Sequence, residues 1–188
     1  DEETRPFLRD WAAGQPAHLI ENAQNLGFVG AVNLGLAHAA RWPDPVVLLN
    51  TDALVPAGWA ARLLRPLAEG RIASVTPMSN DAELGSIPEP GRASPITAEQ
   101  AAQIDGFARA LNGAAQVQAV AGVGFCMALS PAALAAVPQF DTVFAPGYGE
   151  EVDWCQKTRQ AGFSHIYVPD LYVAHLGGQS FGSAKKQA

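Results

Sequence analysis

The chain has 188 residues and a formal net charge of −6, with 48% hydrophobic and 16% charged residues. That balance excludes a globally disordered chain. Only three lysines occur (Lys157, Lys185, Lys186), so there is no basic face for a nucleic-acid backbone. A single domain of this size buries roughly 70% of its unfolded surface. No apolar run reaches the roughly 18–20 residues that span a bilayer, and Asp1-Glu2-Glu3 lacks the features of a secretion signal. Cys126 and Cys155 are too few for a disulfide scaffold or a CxxC metal site, and read as buried thiols of a reducing compartment.

Along the chain, Thr4 to Ala13 has helical apolar spacing at Phe7, Leu8 and Trp11, with Thr4 as N-cap and Gly14 as stop. His18 to Ile20 is expected as a short strand. After an Asn- and Gly-rich stretch, Val32 to Ala40 suggests a helix that Asp44-Pro45 breaks. Pro45 to Leu49 is an unbroken apolar run, expected as a strand buried on both faces. Gly58 to Glu69 is an amphipathic helix closed by Gly70, and Ile72 to Val75 a strand. Asn80 to Pro95 reads as a long irregular loop, of the kind that in small domains is usually functional or mobile. Thr97 and Gln100 have capping-box spacing for a helix to about Leu111. Residues 80–115 together read as a loop-plus-helix insertion.

Val117 to Leu129 is expected as one apolar strand interrupted by Gly122 and Gly124, glycines that often mark close backbone approach. Ser130-Pro131 starts a short helix. Phe140 to Gly149 is a loop, and Glu150 to Ala161 a helix with an acidic first turn. His165 to His175 is expected as two strand pieces around Pro169-Asp170, and 177–188 as a flexible tail. Strands and helices in this alternation predict one α/β domain with a mainly parallel sheet.

Three groups carry chemistry. Asn50-Thr51-Asp52 follows a buried strand, where open α/β sheets bind ligands. A carboxylate there, with an Asn two positions earlier, suits a hard divalent cation and the phosphates it bridges. An Asx turn ending the strand explains the same residues equally well. Glu150, Glu151 and Asp153 crowd three carboxylates at a helix start. Crowding raises a carboxyl's pKa toward that of a general base, although dipole compensation alone accounts for acids in a first turn. Glu150 and Asp153 share a helix face and Glu151 points elsewhere. His175 ends an alternating strand beside glycines and suits a metal ligand, against the commoner reading of an ordinary hydrogen-bonded histidine. His18, His38 and His165 have no such context. Lys157 and Arg159 read as solvated charges, and Cys155 as core packing.

Taken in order, ENAQNLGFVGAVNLGLAHA, PVVLLNTD, GVGFCMALS, FDTVFAPGYGEEVDWCQKTRQAGF and VAHLGGQSF resemble the family 2 glycosyltransferases of bacteria, over about residues 18–182. The resemblance implies a GT-A-like (Rossmann-like) α/β domain, and an inverting transferase that uses a nucleotide-diphosphate sugar donor and a glycan or lipid-linked acceptor. Position by position, it implies that Asn25, Gly27, Ala31 and Asn33 pack under the nucleotide. Asn50-x-Asp52 stands as the DxD-like motif, with Asp52 a ligand of Mg²⁺ or Mn²⁺. Glu151 stands as the base, beside Glu150, with Asp153 a supporting or acceptor-side residue. Gly122 to Phe125 lies under the acceptor pocket, with Gly124 and Tyr148 near the acceptor, and His175 completes the metal site. The resemblance further implies cell-envelope polysaccharide synthesis in the cytoplasm, with peripheral contact at the inner membrane face.

Two departures stand out. Ser130-Pro131 replaces a basic residue usual in the family, and Lys157 an arginine. The family's opening strands, with the acidic residue after the second, are not visible, so the chain is expected to lack them. A non-catalytic carbohydrate-binding domain on the same scaffold is the alternative, and a metal-dependent phosphohydrolase a weaker third.

Overall fold

Alternation along the strands sorts side chains into two buried faces, and the fold follows from how the helices cover them. The computed structural model describes residues 3–145 and 147–176. The main sheet has five strands in the order β1 (Val46–Leu49), β5 (Cys126–Leu129), β3 (Ile72–Met78), β6 (Ser164–Tyr172), β4 (Val117–Ala119). A separate ribbon pairs β2 (Ala53–Leu54) with β7 (Ala174–His175). On β5, Cys126 and Ala128 face one apolar cluster, while Met127 and Leu129 face the other, as a period of two requires. The first cluster is covered by Trp59, Leu63 and Leu64 of α3 (Trp59–Leu64). The second is covered by Val29 and Leu36 of α2 (Gly27–Ala39), Ala133 of α5 (Pro131–Ala136) and Trp154 and Cys155 of α6 (Glu150–Gln160). The helix α4 (Ala98–Asn112) lies over Tyr172 and Ala174.

The α/β architecture is the expected one, but the sheet is mixed. β3 and β6 pair in parallel, whereas β5 runs antiparallel to both β1 and β3, and β4 antiparallel to β6. It follows that β1, β3 and β6 all point the same way. The expected single strand from Val117 to Leu129 is in fact β4 and β5, on opposite sides of the β3–β6 pair. Residues 120–125, with their two glycines, cross from Ala119, opposite His165 near the start of β6, to Cys126 toward the carboxyl end of β3.

Other differences have local causes. His18 to Ile20 pairs with no described strand and is irregular. The helix expected from Val32 starts at Gly27, where the Asn25 side chain accepts the Gly27 N–H at 2.9 Å. β1 is an edge strand, half-buried with Leu49 exposed, and is not covered on both faces. The helix after Gly58 tightens to a 3₁₀ turn at Arg65–Ala68, where Pro66 stands in its first turn. β6 runs unbroken through Pro169, opposite a register shift at Pro77/Met78 of β3. The helix α1 (Thr4–Ala13) is capped by the backbone at Glu3 and not by the Thr4 side chain, and buries none of its residues. The capping box forms as the spacing requires: Thr97 Oγ1 accepts from Gln100 N and Gln100 Oε1 from Thr97 N. The tail 177–188 lies outside the described residues.

His165 is the buried, bonded histidine expected of it. Its Nδ1 meets Ser74 Oγ at 2.8 Å and its Nε2 meets Cys155 O at 3.1 Å, and burial lowers its pKa. Both cysteines are free and buried, their thiols pushed up to about 12 by burial.

α3, α4 and β6 are tied by ions. Arg62 reaches both carboxylate oxygens of Asp105, at 2.9 and 2.8 Å, and the Asp170 carbonyl at 2.7 Å; Asp105 also accepts the Tyr172 N–H. Removing one member of such a buried pair strands the other. Asp105→Ala is therefore expected to cost about 3–5 kcal/mol in urea unfolding, and Arg62 and Asp105 changed together to Met and Leu much less.

Candidate active site

Because β1, β3 and β6 point the same way, their carboxyl ends deliver Asn50–Asp52, Ser79–Asp81 and Val173–His175 to one rim of the sheet. Ligands bind beyond such ends. Two groups of side chains form there.

The first joins Asp52 and His175. β2 and β7 pair with Ala53 opposite His175, and Leu176 N donates to Asp52 O. This brings His175 Nε2 to 3.4 Å from Asp52 Oδ1. His175 Nδ1 lies 2.8 Å from the Asp81 carbonyl, so that nitrogen carries the hydrogen. Nε2 is left as the acceptor, and Asn50 Nδ2 approaches it at 3.3 Å. A lone pair and a carboxylate oxygen held face to face repel unless a proton or a cation stands between them. Both side chains are 16% exposed, open enough to be reached. Among the described residues no group of three or more His, Cys, Asp or Glu is placed to hold a metal. The pair therefore fits a divalent cation only where phosphate and water complete the shell, as Mg²⁺-type sites allow.

The second group centres on Glu151. Its Oε1 accepts the Gly124 N–H at 3.1 Å. Burial first, and then the Glu150 charge, push its carboxyl up to about 7. Glu150 is buried, with Oε2 lacking a hydrogen-bond partner, and its carboxyl lies within hydrogen-bonding range of Glu151. Glu151 thus points with Glu150 and not away from it. Asp153 goes elsewhere, to Lys157 Nζ at 2.7 Å, and the same ammonium bonds Asp141. Lys157 is accordingly an intrahelical and loop tether, and Asp153 belongs to that tether and not to the base.

One short crossing segment joins the two groups. Gly122 N donates to Cys155 Sγ and Gly124 N to Glu151 Oε1, while between them Val123 N donates to Thr76 Oγ1 on β3. Phe125 O then accepts Asn50 N, and the Phe125 ring stacks on His175 with centroids 5.0 Å apart. The glycines are required by space. A Cβ on Gly124 would lie 2.6 Å from Glu151 Oε1 and 2.8 Å from the Phe28 ring, and one on Gly122 2.7 Å from Met127 Cε. Gly122 is buried in that packing.

Among the other expected residues, Asn25 and Gly27 form the turn that opens α2. Asn33 clamps both backbone groups of Phe140, at 2.8 Å each, so its amide is engaged in the fold. Tyr148 is exposed in a left-handed conformation (φ 79°) between Gly147 and Gly149, immediately before Glu150. Sequence reasoning passed over Phe28, Asn80 and Asp81. The last two bore one signal, their place directly after a buried strand.

The family model described as "Glycosyltransferase like family 2" matches residues 1–188. The chain belongs to that family. No curated protein matches it in sequence. Among solved structures, GalNAc-T7 with UDP, GalNAc and Mn²⁺ superposes with a TM-score of 0.66 at 18% identity, over 93% of this chain. The chain spans about a third of that protein's length (35%). The fold of this transferase-family chain is therefore GT-A-like, with its mixed sheet flanked by helices.

The carboxyl pair gives a direct prediction. In a ¹³C titration the Glu151 carboxyl should show a midpoint near 7. Glu150→Gln should lower it without restoring 4.5, because burial is the larger cause. An acid whose folded pKa is raised stabilises the fold fully below its unfolded pKa, and that stability is lost as pH rises to the folded one. Glu151→Gln should therefore gain thermal stability relative to the parent as pH rises from about 4.5 to about 7, and hold that gain above it.

Proposed function

We propose that this protein transfers a sugar from a nucleotide-diphosphate donor to a hydroxyl acceptor with inversion. The observation that carries this reading is the joint at Gly124–Phe125, which sets a half-buried carboxyl of pKa about 7 beside an Asp–His pair suited to a cation. Family membership supports it, and the UDP and Mn²⁺ named with GalNAc-T7 support a UDP-type donor and a divalent metal.

In this reading Asp52 and His175 hold Mg²⁺ or Mn²⁺, which when bound supplies positive charge to the leaving diphosphate. Asn50 orients the His175 ring from the side. Glu151 accepts the proton of the acceptor hydroxyl as its oxygen bonds to the anomeric carbon. The bond from that carbon to the diphosphate oxygen breaks on the opposite face, which inverts the configuration. Burial, and then the like charge of Glu150, keep Glu151 basic enough for the task. Tyr148 and Gly124 border the acceptor side. The acceptor we assign is a glycan or lipid-linked hydroxyl in cell-envelope polysaccharide synthesis on the cytoplasmic side. No described helix is long and apolar enough to cross a membrane, so a lipid-linked acceptor would be met at the surface of the bilayer.

Calorimetry of the full-length protein with UDP, dTDP and GDP should show binding that depends on Mn²⁺, and Asp52→Ala should abolish that dependence. Glu151→Gln should lower turnover about 10²-fold with donor binding kept. Turnover should rise with pH through about 7 as Glu151 loses its proton, and NMR of the product should show the inverted anomer. Nucleotide binding without any transfer would favour a non-catalytic sugar-binding domain instead.

A further inference from the structure

We infer that Asn80 is a positioning residue for the Asp52–His175 pair. Its amide holds the His175 backbone so that the imidazole stays opposite the carboxylate. This rests on the reading of that pair as a cation site.

The ribbon that carries His175 is short. β2 and β7 are two residues each, and so small a ribbon has little stability of its own. Asn80 serves as a substitute third strand. His175 N donates to Asn80 Oδ1 at 2.8 Å, and Asn80 Nδ2 donates to His175 O at 2.8 Å. The second amide hydrogen goes to Ser94 O at 3.0 Å, and Ser79 Oγ approaches Oδ1 at 3.4 Å. Asn80 is buried and its polar capacity is filled. Only a side chain with an acceptor and two donors in one plane can make this set. The next residue completes the arrangement, because the Asp81 carbonyl receives the Nδ1 hydrogen and so fixes which ring nitrogen faces Asp52. One dipeptide at the end of β3 thus sets both the place and the tautomer of the histidine. Outer partners of this kind typically change metal affinity 10- to 100-fold.

The test is Mn²⁺ binding read by EPR, with UDP present, on the full-length protein. Asn80→Ala and Asn80→Asp should each weaken Mn²⁺ binding at least tenfold. In a His175→Ala background the same changes should alter it less than twofold, because the residue they position is gone. A change below twofold in the parent background, with His175→Ala still losing tenfold, would overturn the role of Asn80 and leave the cation site standing. A tenfold effect that persists without His175 would also overturn it, since Asn80 would then act on the fold at large. Equal Mn²⁺ binding in the parent, Asp52→Ala and His175→Ala would remove the cation site and this inference together. Asn80→Asp keeps the side-chain shape and the acceptor for His175 N, and is the variant to read if Asn80→Ala does not fold. Independently of metal, ¹⁵N NMR should show His175 protonated at Nδ1 in the parent and a mixture of tautomers in Asn80→Asp. An unchanged tautomer in that variant would count against the inference.

Discussion

The site depends on how four residues, Gly122 to Phe125, spend their backbone hydrogen bonds. A segment that crosses from one strand to another leaves the ladder, and each buried polar group must find another partner. Here alternate residues turn to opposite sides. Gly122 and Gly124 give their N–H groups to α6, Val123 gives its own to Thr76 of β3, and Phe125 takes one from Asn50. The crossing is therefore bonded to the helix that carries Glu151, to the central strand, and to the loop that carries Asp52.

The charge of the chain has a matching logic. With a net charge of −6, the protein offers a diphosphate little positive charge of its own. The arginines that are most buried are committed to structure: Arg62 to the Asp105 carboxylate and the Asp170 carbonyl, Arg65 to the Asp170 carboxylate. On the proposed reading, compensation for a leaving diphosphate would come from an ion, which carboxylate and imidazole at the rim would help to hold. Asp52 and His175 supply these from chain positions far apart, and only the pairing of β2 with β7 makes them neighbours.

Much of this was legible in the sequence, for identifiable reasons. Elements with strong local signals came out as read: the capping box at Thr97 and Gln100, the Ser130-Pro131 start, and the acidic first turn at Glu150. The motif positions Asp52, His175, Glu150 and Glu151 do meet at one end of the sheet in two groups. What local pattern could not carry was long-range. Val117 to Leu129 reads as one strand because both halves are apolar; only the order of strands shows that it must break and cross. Asn33 looks like a ligand-facing asparagine, yet its amide is taken up by Phe140, 107 positions away. Asn80 looks like the start of a loop, and its partner is 95 positions on. Lys157 looks solvated until α6 and the Asp141 loop are folded together.

The spacing on the two sides of the joint explains why glycine stands at both contact points. Glu151 and Cys155 are four apart on α6, so they lie on one helix face, a turn from each other. Gly122 and Gly124 are two apart, and both direct their N–H groups to that face of α6. A shift of one residue would present Val123 to α6, whose branched side chain would occupy the space that Gly124 leaves for the carboxylate. Glu151 is thus held at one of two neighbouring contacts, and a Cβ at either glycine would force the side chains around it to shift. The same backbone amide that holds Glu151 also opposes, as the smallest of the influences on it, the rise that burial and the Glu150 charge cause, so orientation of the carboxyl is its main effect and the raised proton affinity comes from the surroundings.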